Sequence, residues 1–345
     1  TPKLSKVLPS LLLSLAAIAI ARAETKYEPR DPAPAELEAG IVTKLPDELM
    51  MIDGDIAVPR DADPTAATYG ISYWPNGVVP YEFAGGVTTT NRNLMRAAMD
   101  EWESLTAVRF VARNGETDYI RIMNATFNAS EGVGMLGGQH RIWITSWNTH
   151  GTLVHELGHA LAFWHEQSRS DRNIYVDIEY QNVSQNGCQD SNGNAISCDS
   201  QFDIRTFGGE HGPYDFGSVM HYSACAFSNC GFCSSSDPNC RTITVLGSNA
   251  ATWQNAIGQR VGASFWDARI MSFLYPYSNW RFADDTFGGI QLGTFLNPWQ
   301  GLALGYLATP NGGKLWLKPG DYTFTGVLNR PMRMESTTGT ARIGD

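Results

Sequence analysis

Three histidines and a glutamate stand where one metal ion could use them all. In His155-Glu-Leu-Gly-His-Ala-Leu-Ala-Phe-Trp-His165 the first two histidines are four residues apart. On a helix that spacing gives them one face, so both imidazoles can reach a single Zn²⁺ at about 2.0 to 2.1 Å. Glu156 points one step round the helix, where it can hold and deprotonate a water in the metal's open position instead of binding the metal. His165 lies six residues beyond His159, too far for the same turn, so the chain must leave the helix and double back to offer a third ligand. Read blandly, H-E-x-x-H is a solvated helix face with a chance pair of histidines. The third histidine, the apolar lead-in Thr152-Leu-Val154 and the downstream run Ser218-Val-Met-His-Tyr222 argue against that.

The residues His155 to Arg172, together with Tyr214-Asp-Phe-Gly-Ser-Val-Met-His-Tyr222, resemble the astacin family of metzincin zinc endopeptidases. The resemblance implies His155, His159 and His165 as zinc ligands and Glu156 as general base. It further implies Met220 in a turn beneath the metal and Tyr222 as a movable ligand that also serves the oxyanion. Trp74-Pro-Asn-Gly-Val-Val-Pro-Tyr81 is similar to the start of the family's mature domain, and Ile257-Gly-Gln-Arg260 through Leu274-Tyr275 to its end. One departure stands out. The eighth motif position usually carries glycine, and here it is Ala162; a helix that ends on a left-handed residue prefers glycine, and alanine there costs on the order of 1 kcal/mol. Two cysteines common in the family's catalytic domain are also missing, since Trp147 to His150 contains none.

The elements that would position these groups predict an α+β domain. Asn91 to Leu105 is amphipathic, with Leu94, Ala98, Trp102 and Leu105 at helical spacing, and reads as a core helix. Val108 to Ala112, Tyr119 to Met123 and Arg141 to Thr145 alternate as strands do. Mixed strands, then the zinc helix, then a loop-rich half predict two lobes with a cleft between them. Gly132 to Gln139 is expected to form the sheet edge along which a peptide lies. His140, His150 and His211 have no ligand spacing, and His221 reads as structural. The resemblance implies that Glu166 sits in a buried cavity and pairs with the new N-terminus made by activation, near Ala66. A buried carboxylate needs such a partner.

The expected layout is a signal peptide at 1–23, a propeptide at 24–65, the protease at 66–277 and a small β-rich module at 278–345. Lys3 and Lys6 precede an apolar stretch from Leu11 to Ala21 and the cleavage-like Ala21-Arg-Ala23. That stretch is shorter than the about 20 apolar residues a membrane span needs, so export is expected and anchoring is not. In the propeptide, Ile52-Asp-Gly-Asp-Ile56 resembles the family's inhibitory motif, which implies Asp55 as the carboxylate that blocks zinc in the zymogen. Taken alone, Asp53-Gly-Asp55 reads as a turn. All six cysteines fall between 188 and 240. In an exported chain they read as disulfides, with a Cys₄ zinc knuckle as the alternative. Cys188 and Cys198 are expected to pair, while Cys225, Cys230, Cys233 and Cys240 admit three pairings. Sequons at Asn124, Asn128 and Asn182 are candidate glycan sites. From Ser278 onward, short alternating strands broken by Gly and Pro resemble the opening coil of a right-handed β-helix.

A formal charge of −10 leaves no basic stripe for nucleic acid. The expected function is a secreted, latent zinc endopeptidase acting on protein or peptide substrates. One rival is a catalytically inactive binding or adhesion protein on the same fold, and the intact Glu156 argues against it; a second, a zinc hydrolase acting on non-peptide esters, is disfavoured by the propeptide motif.

Overall fold

The computed structural model describes residues 41–60, 72–189, 194–205 and 210–344. The expected signal peptide, both ends of the expected propeptide and Ala66 lie outside them. The chain before the protease forms a hairpin, β1 (Leu49–Ile52) and β2 (Ile56–Pro59), with Asp53, Gly54 and Asp55 at its tip. The upper lobe adds β3 (Val78–Phe83), helix α1 (Thr89–Leu105), β4 (Arg109–Ala112), β5 (Tyr119–Asn124), β6 (Ala129–Glu131) and β7 (Gln139–Ile144). Seven strands make one sheet in the order β1-β2-β6-β7-β5-β3-β4. The β3–β4, β3–β5 and β5–β7 pairs are parallel, and β6 runs antiparallel to β7. Alternation places Ile120, Ile122, Ile142 and Ile144 on the face that packs with α1 and with α2 (His150–Ala160).

Helix α1 starts where Thr88 accepts the Asn91 N–H, an N-cap that satisfies one orphan donor. Its buried stripe is Met95, Ala98, Met99 and Trp102. The face is thus rotated slightly from the expected one, and Leu105 is exposed because the helix ends there and the chain turns away at Thr106. The edge that faces the cleft also differs from expectation. It is β6, and β2 already occupies it in parallel, Ile56 opposite Ser130 and Ala57 opposite Glu131. Glycine-rich 132–139 is mostly loop, although the Gly132 N–H still reaches the Ala57 carbonyl at 2.8 Å. The pre-protease segment, Pro- and Glu-rich and with too few periodic apolar residues to predict a core, nonetheless buries several side chains. Leu49 and Ala57 pack with Trp143, while Ile52, Ile56 and Val58 pack with Val133.

The lower lobe is held by short pieces. β8 (Val176–Ile178) pairs antiparallel with β11 (Ile243–Val245), and β9 (Cys188–Gln189) with β10 (Ala195–Ile196). Disulfides join Cys188 to Cys198, Cys225 to Cys233 and Cys230 to Cys240, which selects one of the three open pairings and leaves no thiols for a zinc knuckle. The Asn182 amide is buried and donates to the carbonyls of Pro238 and Arg241, so that sequon does not suit a glycan in the folded chain. After the one-turn α3 (Ala250–Trp253), α4 (Phe265–Leu274) opens with a capping box between Ser264 and Asp267.

Beyond α4 the expected coil is present. β12 (Trp280–Asp284), β14 (Lys314–Leu317) and β16 (Arg333–Ser336) stack in parallel, Phe282 opposite Trp316 and Trp316 opposite Glu335. β13 (Trp299–Gln300) flanks β12, and β15 (Gly320–Thr323) pairs in parallel with β17 (Ala341–Gly344). A short helix that the sequence pattern did not signal, α5 (Gly301–Ala308), covers the coil's apolar interior with Leu302 and Tyr306. Phe273 of α4 meets Phe282 and Trp316 edge-on at 5.5 and 5.0 Å, so the small module shares its core with the protease lobe. No helix among the described residues is long and apolar enough to cross a membrane.

Candidate metal centre

Helix α2 carries His155, Glu156 and His159, all buried. Its position is fixed by side chains that donate to its backbone, Trp102 Nε1 to the Val154 carbonyl at 3.1 Å and Trp74 Nε1 to that of Ala160 at 2.8 Å. The helix stops at Ala160, and Ala162 takes φ +90°, the left-handed conformation that glycine would adopt without strain. That turn swings the chain back and brings the His165 ring within 5.2 Å of His155 and 4.7 Å of His159, centroid to centroid.

The hydrogen bonds of the first two imidazoles decide what the centre can hold. His155 Nδ1 lies 2.7 Å from the Val219 carbonyl, and His159 Nδ1 lies 2.7 Å from that of Phe163. A carbonyl only accepts, so both Nδ1 atoms carry the hydrogen and both Nε2 atoms present lone pairs when the rings are neutral. Burial first, then the charge of Arg260, brings the His155 imidazolium down to about 3, so this ring is neutral at pH 7. The His155 and His159 Nε2 atoms are 3.2 Å apart, and His165 Nε2 is 3.4 Å from that of His155. Into the same point comes the Asp55 carboxylate, at 3.0 Å from His155, 3.3 Å from His159 and 3.0 Å from His165. Converging lone pairs repel unless a cation lies among them. Buried nitrogen and carboxylate donors are what Zn²⁺ prefers, so the residues fit the ion.

Burial would raise the Asp55 carboxyl, but His165 and His155 outweigh it and hold it well below the usual carboxylate range. Glu156 goes the other way: burial, then the Asp55 charge, pushes it well above its ordinary value, with Arg260 opposing. Its Oε2 is buried without a hydrogen-bond partner. Tyr222 is likewise buried with an unpartnered hydroxyl, its ring 4.6 Å from that of His165. Gly54 makes room for that phenol, because a Cβ there would come 2.7 Å from the Tyr222 oxygen.

Met220 underlies α2. A Cβ on Gly158 would lie 2.7 Å from its sulfur, so glycine permits this approach. The turn is tied from several sides. Asp267 accepts from the Ser218 hydroxyl at 2.6 Å and the Val219 N–H at 2.8 Å, Gln167 accepts from the Tyr222 N–H at 2.8 Å, and Arg260 donates to the His221 carbonyl at 3.1 Å. His221 is engaged elsewhere, its Nδ1–H donating to the Tyr222 carbonyl and its Nε2 accepting from the Tyr214 hydroxyl. His140 bonds Ser130 and Gly134 in the core, His150 pairs with Glu101, and His211 packs on Phe295. Glu166 lines a cavity shared with His165, Met220, Asp215 and Asp267. Burial pushes its carboxyl up to about 8 despite Arg169.

Gln201, Arg205 and Asp267 carried no functional signal in the sequence pattern, and Asp53 was read only as part of a turn. Gln201 and Arg205 grip the hairpin tip, the first through the Gly54 N–H and the second through Asp53, and Asp267 supports the Met220 turn. Only Asp267 had a local mark, the Ser264-x-x-Asp267 capping pattern.

The fold and the three-histidine centre define a metzincin-like protein with a zinc-type site. The model of the astacin peptidase family matches residues 66–276, and the chain belongs to that family. It is 34% identical over 209 residues to zinc metalloproteinase nas-4 of Caenorhabditis elegans, covering 59% of this chain and 58% of that protein. With High choriolytic enzyme 1 of Oryzias latipes it shares 32% over 237 residues, 66% of this chain and 78% of the relative. The solved structure of that hatching enzyme zinc-protease superposes with a TM-score of 0.50 at 30% identity, covering 62% of this chain and 98% of that one. Against zinc metalloproteinase nas-14 of C. elegans the chain covers only 38% of the relative's length.

Proposed function

We propose that the chain is a zinc endopeptidase made as a latent precursor, exported by a signal peptide at 1–23, inhibited by a propeptide at 24–65 and carrying its protease at 66–277, with 278–345 as a stabilising module. The observation that carries this reading is the convergence of three Nε2 atoms on Asp55 beside a buried, unpartnered Glu156. His155, His159 and His165 would hold zinc in the mature enzyme, with Asp55 as a further ligand before activation and Tyr222 as a movable one after it. Zinc held there supplies a Lewis acid for water and the scissile carbonyl. Glu156 takes the proton of the attacking water and delivers it to the leaving amine. The Tyr222 phenol donates to the oxyanion of the tetrahedral state. Protein or peptide substrates would lie along β6 once β2 leaves it, since the strand's edge groups are then free to pair. The Glu166 cavity would receive the new ammonium terminus near Ala66, which supplies the cation that a buried carboxylate requires. Three disulfides suit export.

The test is cleavage of a mixed peptide library by the activated chain, with and without chelator, alongside Glu156→Gln. The variant is expected to keep its zinc by metal analysis and lose about 10²- to 10⁴-fold in kcat. Near-normal turnover with zinc bound would sink the assignment of Glu156.

A further inference from the structure

His140, on β7, ties together two elements that shape the cleft. Its Nδ1 lies 3.1 Å from the Gly134 carbonyl and its Nε2 2.7 Å from Ser130 Oγ. A carbonyl only accepts, so Nδ1 carries the hydrogen and Nε2 accepts from the serine hydroxyl. Both side chains are fully buried. Burial brings the His140 imidazolium down to about 4, so the ring is neutral at pH 7 and holds both bonds at once.

Both partners belong to the site. Ser130 of β6 donates its own N–H to the carbonyl of Asp55 at 2.8 Å, the residue whose carboxylate enters the metal centre. Gly134 donates its N–H at 2.8 Å to the carbonyl of His159, the next-to-last residue of α2. Between them, the Gly132 N–H reaches the Ala57 carbonyl. The run 130–134 thus offers two N–H groups to the strand lying in the cleft and a third to α2. The ladder with β7 does little to place it, since β6 pairs there through Ala129 and Ser130 and the chain then leaves the sheet. Glu131 adds one tie through Arg141, and His140 holds the two ends of the run. Resting on the endopeptidase reading above, we infer that His140 is a positioning residue for substrate: through Ser130 and Gly134 it sets where the N–H groups of residues 130 and 132 stand relative to α2, so that a peptide paired with them presents its scissile bond to the metal centre. A displacement of about 1 Å at such a site costs on the order of 10²-fold in rate.

The experiment uses the activated product of the whole chain and one peptide sequence in which each main-chain amide within three residues of the cleaved bond, the cleaved bond excepted, is replaced in turn by an ester. An ester lacks the N–H and is a weaker acceptor, so it reports main-chain pairing with β6. In wild type one replacement should lower kcat/KM roughly 3- to 10-fold, the range for one hydrogen bond. In His140→Leu, kcat on the parent peptide should fall about 10- to 100-fold and that ester penalty should shrink toward one, because the strand is no longer in register with the metal centre. His140→Gln, whose amide oxygen can still accept from Ser130, should retain part of both. Ser130→Ala removes one bond and adds no bulk, so it decides the matter if His140→Leu does not fold. A merely structural histidine would lower the rate and leave the penalty as it was. That result at full zinc content, or the absence of any ester penalty in wild type, overturns the inference. Failure of wild type to cut the parent peptide would instead refute the endopeptidase reading beneath it.

Discussion

Replacing Asp53 by alanine in the uncleaved chain should open the latch even though Asp55 is untouched. The carboxylate and Arg205 are both sealed from water, and removing one member of a buried ion pair typically costs about 3 to 5 kcal/mol because the other charge is left unpaired. In the closed hairpin of the variant Arg205 bears that cost, and in the open state water relieves it. The open population should therefore rise by about two orders of magnitude or more, at roughly tenfold per 1.4 kcal/mol. The readout is basal hydrolysis of a quenched peptide by uncleaved protein, with zinc content measured in parallel. Asp55→Ala is the reference, since it removes the carboxylate at the metal centre and should raise basal activity by itself. If Asp53→Ala stays as silent as wild type while Asp55→Ala is active, the ion pair does not hold the tip and the energetic argument fails.

Two further outcomes are expected. Tyr222→Phe should lower kcat by roughly 10²- to 10³-fold at similar KM, because the phenol acts on the transition state, and unchanged kcat with full zinc would make it a packing residue only. The Glu166 carboxyl lies at about 8 in the folded precursor and 4.5 in its ordinary state, so the folded chain binds the extra proton between those values and stability falls as pH rises through that window. Glu166→Gln should flatten this part of a denaturation-midpoint profile taken from pH 5 to 8, and an identical slope in the variant would refute the assignment.

The centre's candidate ligands were legible because they are local. His155, Glu156 and His159 share one helix, and His165 follows after a turn whose strain falls on a residue visible in the motif, Ala162 at φ +90°. Of the seven strands in the sheet, β4, β5 and β7 were legible to within about two residues, β5 and β7 because Ile120, Ile122, Ile142 and Ile144 alternate against a two-layer core, whereas β1, β2, β3 and β6 were not read as strands. What escaped was set by long-range contact. Asp53 and Arg205 are 152 residues apart, and nothing around either marks it as half of a buried pair. The edge was misplaced from Ala129–Glu131 to the glycines after it because edge identity depends on which strand lies beside β7, and pairing has no local code. The pro-segment looked too polar for a core since its buried residues, Leu49, Ile52, Ile56 and Val58, each fill a gap in another element's surface.

Long-range contact also makes the turn beneath the metal centre more than a floor. The Val219 peptide group and its carbonyl are gripped from two sides: the N–H by the Asp267 carboxylate and the carbonyl by His155 Nδ1–H. Asp267 thereby helps to hold the backbone carbonyl that fixes the His155 tautomer. Asp267 in turn is fixed by the N-terminus of α4, whose other face carries Phe273 into the core shared with the C-terminal coil. The helix α4 is thus shared by both: its first turn holds Asp267 under the metal centre, and Phe273 carries it into the core of residues 278–344.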